Sequence, residues 1–258
     1  MLQKLTLQCK CADDLKPSYN WGSLLHGVLM ELLPGEIAEA LHESGLRPFS
    51  QYIVPLADSV LEWRIGLWDD AISNEIVKAV MPLSKIPLKH KNSELMVLSA
   101  NRNQISEENY ITSHVTHEEG ARRYELEFVT PCTHKSGGRY VLFPSVELIY
   151  QSLQMRFDSF SNEFSLGDSD SLIHLSNSTQ IVRYNLRSEA FYLENYKIPC
   201  YKGRLTLAVR GPETLCQLAG MLLGFSEYAG IGIKTSMGMG GCKCIKTDSI
   251  EKKTDKLR

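Results

Sequence analysis

An α+β fold made from two copies of a split β-α-β unit is predicted by three observations. Strand-like and helix-like segments alternate, their order repeats near the middle of the chain, and the length suits two cores. The 258 residues accommodate two domains of about 120 residues, each large enough to bury its own core. Hydrophobic residues make up 43% and charged residues 22%, a balance that excludes a disordered or fibrous chain.

In the first copy, Leu2, Leu5 and Leu7 roughly follow the period of a strand, and Pro17 closes the connection to a helix. Leu24, Leu25, Val28, Leu29, Leu32 and Leu33 recur at helical spacing, with Ser18, Asn20 or Ser23 available as a cap. Pro34 interrupts this helix. Ile37, Ala38 and Leu41 then share one face of a shorter helix that ends at Gly45, a residue suited to a left-handed cap. Strands over residues 49–56 and 60–67, a helix over 71–80 and further short strands to about 115 complete the order strand, helix, strand, strand, helix, strand.

After the polar residues 116–120 the order begins again. A strand over 124–129, a hairpin through KSGGRY, a helix over 145–160 and strands over 181–193 and 204–209 lead to a last helix over 212–228, with Pro212 in its first turn. The expected domains are residues 1–118 and 119–245, followed by a flexible tail over 246–258. The polar stretch 159–178 is expected to form a long loop or a small insertion.

No apolar run approaches the length of a membrane span, and the opening MLQKLTLQCK lacks the pattern of a signal peptide. A cytoplasmic protein with no membrane partner is expected. Seven cysteines, an odd number, argue for reduced thiols. The pairs Cys9/Cys11 and Cys242/Cys244 lack the two-residue spacing of a zinc knuckle, so half-buried free thiols are expected, with no metal and no cofactor. The net charge of −2 requires any nucleic-acid surface to be segregated from the acidic residues. Glu31, Glu36, Glu39 and Glu43 gather early, whereas Lys135, Arg139, Lys197, Lys202, Arg204, Arg210 and Lys234 come later.

The strongest local signal is GIGIKTSMGMGG, residues 230–241. Gly230, Gly232, Gly238, Gly240 and Gly241 permit close backbone approach to a ligand, Lys234 adds a charge, and Thr235 and Ser236 add donors. That combination suits either an anion or a close-packed structural turn. It is neither a Walker A loop nor a dinucleotide fingerprint, since no GK[ST] closes it and it follows a helix. In KSGGRY, Lys135 and Arg139 flank two glycines in a hairpin turn, which serves equally as a solvated loop. His26 lies beside the apolar stripe of the first helix. His42 lies in the last turn of the second, at the negative end of a helix dipole, a position that suits a proton donor. Either histidine has a structural reading as well.

Together these segments resemble the CRISPR repeat-processing endoribonucleases of the RAMP superfamily. The likeness rests on HGVLMELLPGEIAEALHESGLRPFS, ELEFVTPCTHKSGGRYVLFPSVELIY and GIGIKTSMGMGG, in that order, and spans nearly the whole chain. The resemblance implies two tandem ferredoxin-like (RRM-like) domains that hold repeat RNA along their cleft. It also implies a single metal-free cut in each repeat of precursor crRNA, leaving a 2′,3′-cyclic phosphate and a 5′-hydroxyl. His42 occupies the position of the family histidine, and Arg47 falls where a catalytic lysine often lies. The family's helix tyrosine has no match, since Met30 stands at or near its place, and His26 is the residue available to share the work.

The 2′-hydroxyl of RNA is its own nucleophile, so a cutting site need only align it, move two protons and neutralise developing charge. On this reading His42 protonates the leaving oxygen, His26 accepts the 2′-proton and Arg47 steadies the phosphorane by a forked hydrogen bond. Lys135, Arg139, Gly230, Gly232, Lys234, Thr235, Ser236, Gly238 and Gly240 are the expected RNA contacts. Other effector subunits and a second copy of the chain are further candidate partners. The rival reading is a non-catalytic RAMP subunit that holds RNA within an effector complex. A nucleotide-binding enzyme is disfavoured because no motif supplies carboxylates for magnesium.

Overall fold

The computed structural model describes residues 1–43, 45–115, 121–161, 165–167, 169–193 and 196–247. In the first half, β1 (Leu2–Lys10) leads through a 3-10 turn (Tyr19–Trp21) into α1 (Gly22–Leu32) and α2 (Gly35–Glu43). Then come β2 (Phe49–Pro55), β3 (Val60–Leu67), α3 (Asp70–Val80), β4 (Lys85–Leu88), a second 3-10 turn (Lys89–Lys91) and β5 (Ser93–Ile105). The strands form one antiparallel sheet in the order β2-β3-β1-β5-β4.

A helix, α4 (Glu107–Val115), precedes the second half. That half runs β6 (Arg123–Cys132), β7 (His134–Ser136), β8 (Arg139–Val141), α5 (Val146–Phe160), α6 (Ser169–Ser178), β9 (Thr179–Leu193) and β10 (Tyr196–Val209). It closes with α7 (Glu213–Ala229), a third 3-10 turn (Thr235–Met237) and β11 (Cys242–Lys246). Its main sheet has the order β11-β6-β10-β9. Without the short edge strand β4, both sheets place their four strands as fourth, first, third, second. The chain is therefore two tandem ferredoxin-like units.

Sequence chemistry accounts for the elements locally. Leu5, Leu7 and Cys9 alternate along β1 into the first core, beside Leu25 and Leu29 of α1 and Ile76 and Val80 of α3. Asp69 caps α3 by accepting a hydrogen bond from the Ile72 amide at 2.9 Å, and Ser145 caps α5 through the Leu148 amide at 3.1 Å. Ile149, Leu153 and Phe157 of α5 meet Leu222 and Phe225 of α7 in the second core. At the tip of the β7–β8 hairpin, Gly137 and Gly138 both have positive φ (54° and 79°), as a two-residue I′ turn requires.

Three expectations need correction. Residues 107–115 form α4 in place of strands, because Tyr110 is buried against α7, where its hydroxyl donates to the Met221 carbonyl at 2.6 Å. Part of the stretch expected to be a loop is α6, whose Leu175 is buried in the second core. All seven cysteines are free thiols, but Cys9, Cys11, Cys132, Cys200, Cys216 and Cys242 are fully buried and only Cys244 is half-buried. Burial pushes the Cys9 and Cys200 thiols up to about 12, which leaves them inert as nucleophiles. Residues 116–120, where the domain boundary was expected, and 248–258 of the expected tail lie outside the described residues.

The glycine-rich segment joins the two units. A Cβ on Gly22 of α1 would lie 2.4 Å from the Met237 carbonyl oxygen and 2.6 Å from the Gly238 Cα. Gly238 and Gly240 have φ of 103° and 66°, and a Cβ on Gly240 would sit 1.9 Å from the Ile231 carbonyl oxygen. Gly238→Ala and Gly240→Ala are each expected to lower stability by about 2 kcal/mol or more, from overpacking added to left-handed strain. Gly137→Ala, with open space around it, should lose only about 1 kcal/mol. Thermal unfolding of the three variants checks this order; equal losses would show that the segment is not tightly packed.

Candidate active site

Two of the residues predicted for the site, His26 and Arg47, meet the third 3-10 turn. His26 projects from α1 and is 5% exposed, stacked on Phe49 with ring centroids 6.0 Å apart. It makes a hydrogen bond to the Ser236 backbone, while its Nδ1 has no partner. Arg47 follows α2 and is half-buried. Its Nε donates to the Leu41 carbonyl at 2.8 Å, tying it to the end of α2, and its Nη1 donates to the Ser236 hydroxyl at 3.1 Å. His42 stands exposed in the last turn of α2.

Burial, and then the charges of Arg47 and His42, push His26 down to about 4. At neutral pH His26 is an uncharged imidazole whose unpartnered Nδ1 is itself buried. Arg47 supplies a fixed cation held by two hydrogen bonds. Met30, at or near the family's tyrosine position, is buried and brings no polar group to the site.

Gln51 organises this arrangement, and sequence reasoning missed it. Fully buried in β2, its Nε2 donates to the carbonyls of Gly22 at 2.7 Å and Ser236 at 2.9 Å. Its Oε1 accepts from Trp63 Nε1 at 2.9 Å. Thus one amide fixes the start of the helix that carries His26 against the turn that meets Arg47. Its sequence signal is a polar residue within FSQYIVP, a strand whose first five residues are all buried.

The expected RNA contacts divide into two groups. Gly230, Gly232, Thr235, Ser236, Gly238 and Gly240 are buried. The amides of Gly230, Gly232, Gly238 and Gly240 donate to acceptors within the protein, so these glycines give close packing and their amides do not face a phosphate. Arg156, buried in α5, clamps the same segment by donating to the Gly232 carbonyl at 2.5 Å. By contrast Lys135, Arg139 and Lys234 are exposed. The Ile233 amide bonds to the Thr133 carbonyl at 3.0 Å, which sets Lys234 near the foot of the hairpin that carries Lys135 and Arg139. Among the described residues, no group of three or more His, Cys, Asp or Glu side chains could hold a metal ion, and no helix is long and apolar enough to cross a membrane.

The profile of the family described as CRISPR-associated endoribonuclease Cas6 matches residues 126–242. A Streptococcus thermophilus CRISPR-associated endoribonuclease Cas6 is 30% identical over 94% of this chain and 98% of its own. A Mycobacterium tuberculosis Cas6 is 29% identical over 94% of this chain and 78% of its own. Among solved structures, a Cas6 product complex superposes with a TM-score of 0.78 at 22% identity, covering 95% of this chain and all of that one.

His134, 3% exposed, is also pushed down to about 4 by burial and then by Arg156. As pH falls below 6.5, the unfolded chain protonates these histidines while the folded protein keeps His26 and His134 neutral until about 4. Their contribution to stability is therefore complete above that window and lost progressively on acidification through it, by about 3 kcal/mol for each histidine. Urea unfolding of wild type and His134→Gln near pH 7.5 and pH 5 should show a smaller acid-induced loss in the variant. An identical loss in both would refute the assignment.

Proposed function

The chain belongs to the CRISPR-associated endoribonuclease Cas6 family, and on that premise we propose that it binds CRISPR repeat RNA and cuts precursor crRNA by metal-independent acid–base chemistry. The observation that carries this reading is the meeting of His26 and Arg47 on Ser236, with Arg47 also bonded to the end of α2, the helix whose last turn bears His42. Neutral His26 takes the proton from the 2′-hydroxyl as it attacks the adjacent phosphorus. The P–O bond to the 5′-oxygen then breaks, and His42 delivers a proton to that oxygen. Arg47 stabilises the pentacoordinate intermediate. The products are a 2′,3′-cyclic phosphate and a 5′-hydroxyl, and no water is consumed. Each positioned acid or base contributes about 10² to 10⁴ in rate.

Binding falls to the exposed cations Lys135 and Arg139 on the β7–β8 hairpin and Lys234 on the neighbouring turn. Their grouping on the second unit supports this reading despite a net charge of −2, because phosphate contact needs a local surplus of cations and not a global one. Other effector subunits and a second copy of the chain are partners the reading allows but does not require. The rival reading, a non-catalytic RNA-holding subunit, predicts RNA binding without cleavage.

Two outcomes test the chemistry. Cleavage of repeat RNA should persist in EDTA and vanish when the nucleotide before the cut carries 2′-deoxyribose, with binding little changed. Loss of cutting in EDTA that magnesium restores would overturn metal independence, and cutting of the deoxy substrate would sink the mechanism.

Single-turnover rates at saturating enzyme separate the side-chain roles. His42→Ala is expected to abolish cleavage, by about 10² to 10⁴ in rate, while repeat RNA affinity stays within a few-fold. His26→Ala should slow it by a smaller factor. Arg47→Ala should slow the chemical step and weaken binding too, because its cation touches the phosphate before and during reaction. A wild-type rate in His42→Ala would transfer the leading role to His26, and full activity in both histidine variants would end the histidine mechanism.

A further inference from the structure

Beside α1, on a different face of the helix from His26, lies a groove of about 470 Å³, within the ~300–1,000 Å³ range of ligand sites. Ser23, Gly27 and Glu31 form its helical wall at four-residue spacing, and the 3-10 turn Lys89–Lys91 stands opposite. Gly27 is the unexplained residue. It is exposed in the middle of a helix, where glycine is the least favourable residue after proline. Unlike Gly22 five residues earlier, a Cβ there would meet nothing within 4 Å. The fold gives no reason for a glycine at this place. Close approach of a ligand to the helix backbone does give one.

The opposite wall states what that ligand is. Lys89, His90 and Lys91 are consecutive; Lys89 is ion-paired with Glu31 at 2.6 Å, whereas Lys91 has no carboxylate partner among the described residues. Lys91 Nζ lies 4.8 Å from the centre of the Trp21 ring, which is 8% exposed and borders the groove. An unpaired cation over an indole, facing a helix backbone stripped of its side chain, matches a phosphate joined to a sugar and base. We propose that this groove is a second RNA subsite, which seats one nucleotide of an unpaired stretch of the substrate, with phosphate at Lys91 and sugar against Gly27. The proposal rests on the reading of the chain as a repeat-RNA nuclease. Gly27 adjoins His26 in sequence, so RNA held here is anchored on the same helix that bears the proposed base.

Titrating a 2′-deoxy, uncuttable repeat RNA onto the full chain at several salt concentrations tests it. Gly27→Leu fills the groove floor and should weaken affinity by about five-fold or more, while raising the melting temperature by about 2–4 °C because leucine is the better helix former. Lys91→Ala should weaken affinity by a similar factor and make the salt slope shallower by about one. Lys78→Ala, which removes a cation on α3 paired with Glu75, is the control for general charge. Affinities within two-fold of wild type in both groove variants overturn the subsite and leave the nuclease reading intact. A wild-type chain that fails to bind repeat RNA overturns both. Lys78→Ala as weak as Lys91→Ala would show a diffuse charge effect and overturn the subsite.

Discussion

The contact on which the rest of the structure depends is the backbone crossing of Gly22 and Gly238. Only two residues without side chains allow α1 to lie this close to the glycine-rich segment, and Gln51 holds them there by accepting one indole N–H and donating to a carbonyl on each side. Because Gln51 is fully buried, losing its amide would strand those groups without water, at about 1–3 kcal/mol for each. Position and stability are thus set by the same bonds. His26 faces Ser236 because the crossing is tight, and Arg47 reaches Ser236 because the turn that carries it is pinned.

The segment between α7 and β11 therefore takes the structural of the two roles its composition allows. Glycine-rich sequence next to lysine, threonine and serine suits a phosphate cradle or a close-packed turn alike, and most of its amides are engaged within the protein. What remains for a ligand is Lys234 and the exposed hairpin nearby. On the proposed reading the segment acts on RNA indirectly, by completing the wall against which His26 and Arg47 are set.

Much of the fold was legible because its periodicities are local. Leu25, Val28 and Leu29 mark α1 without any knowledge of the first sheet, and two glycines between cations mark the β7–β8 turn. The helix at 107–115 was not legible, since Tyr110, Ile111, Thr112 and Val115 favour strands in isolation and only burial of Tyr110 on α7 overrides that preference. For the site, His26, His42 and Arg47 lie within twenty-two residues, so one helix pair could suggest them. Gln51 and Ser236 meet across 185 residues, a distance over which no pattern in the chain reports contact.

Neither unit holds the whole proposed site. The histidines and Arg47 belong to the first half and Ser236 to the second, with the Lys4–Glu227 ion pair and the Ser50 hydroxyl bonded to the Tyr228 carbonyl adding further ties between them. Catalytic competence is in this sense a docking signal. A chain severed between its two units would regain it only as the halves find each other, so RNA cutting would count assembled pairs directly.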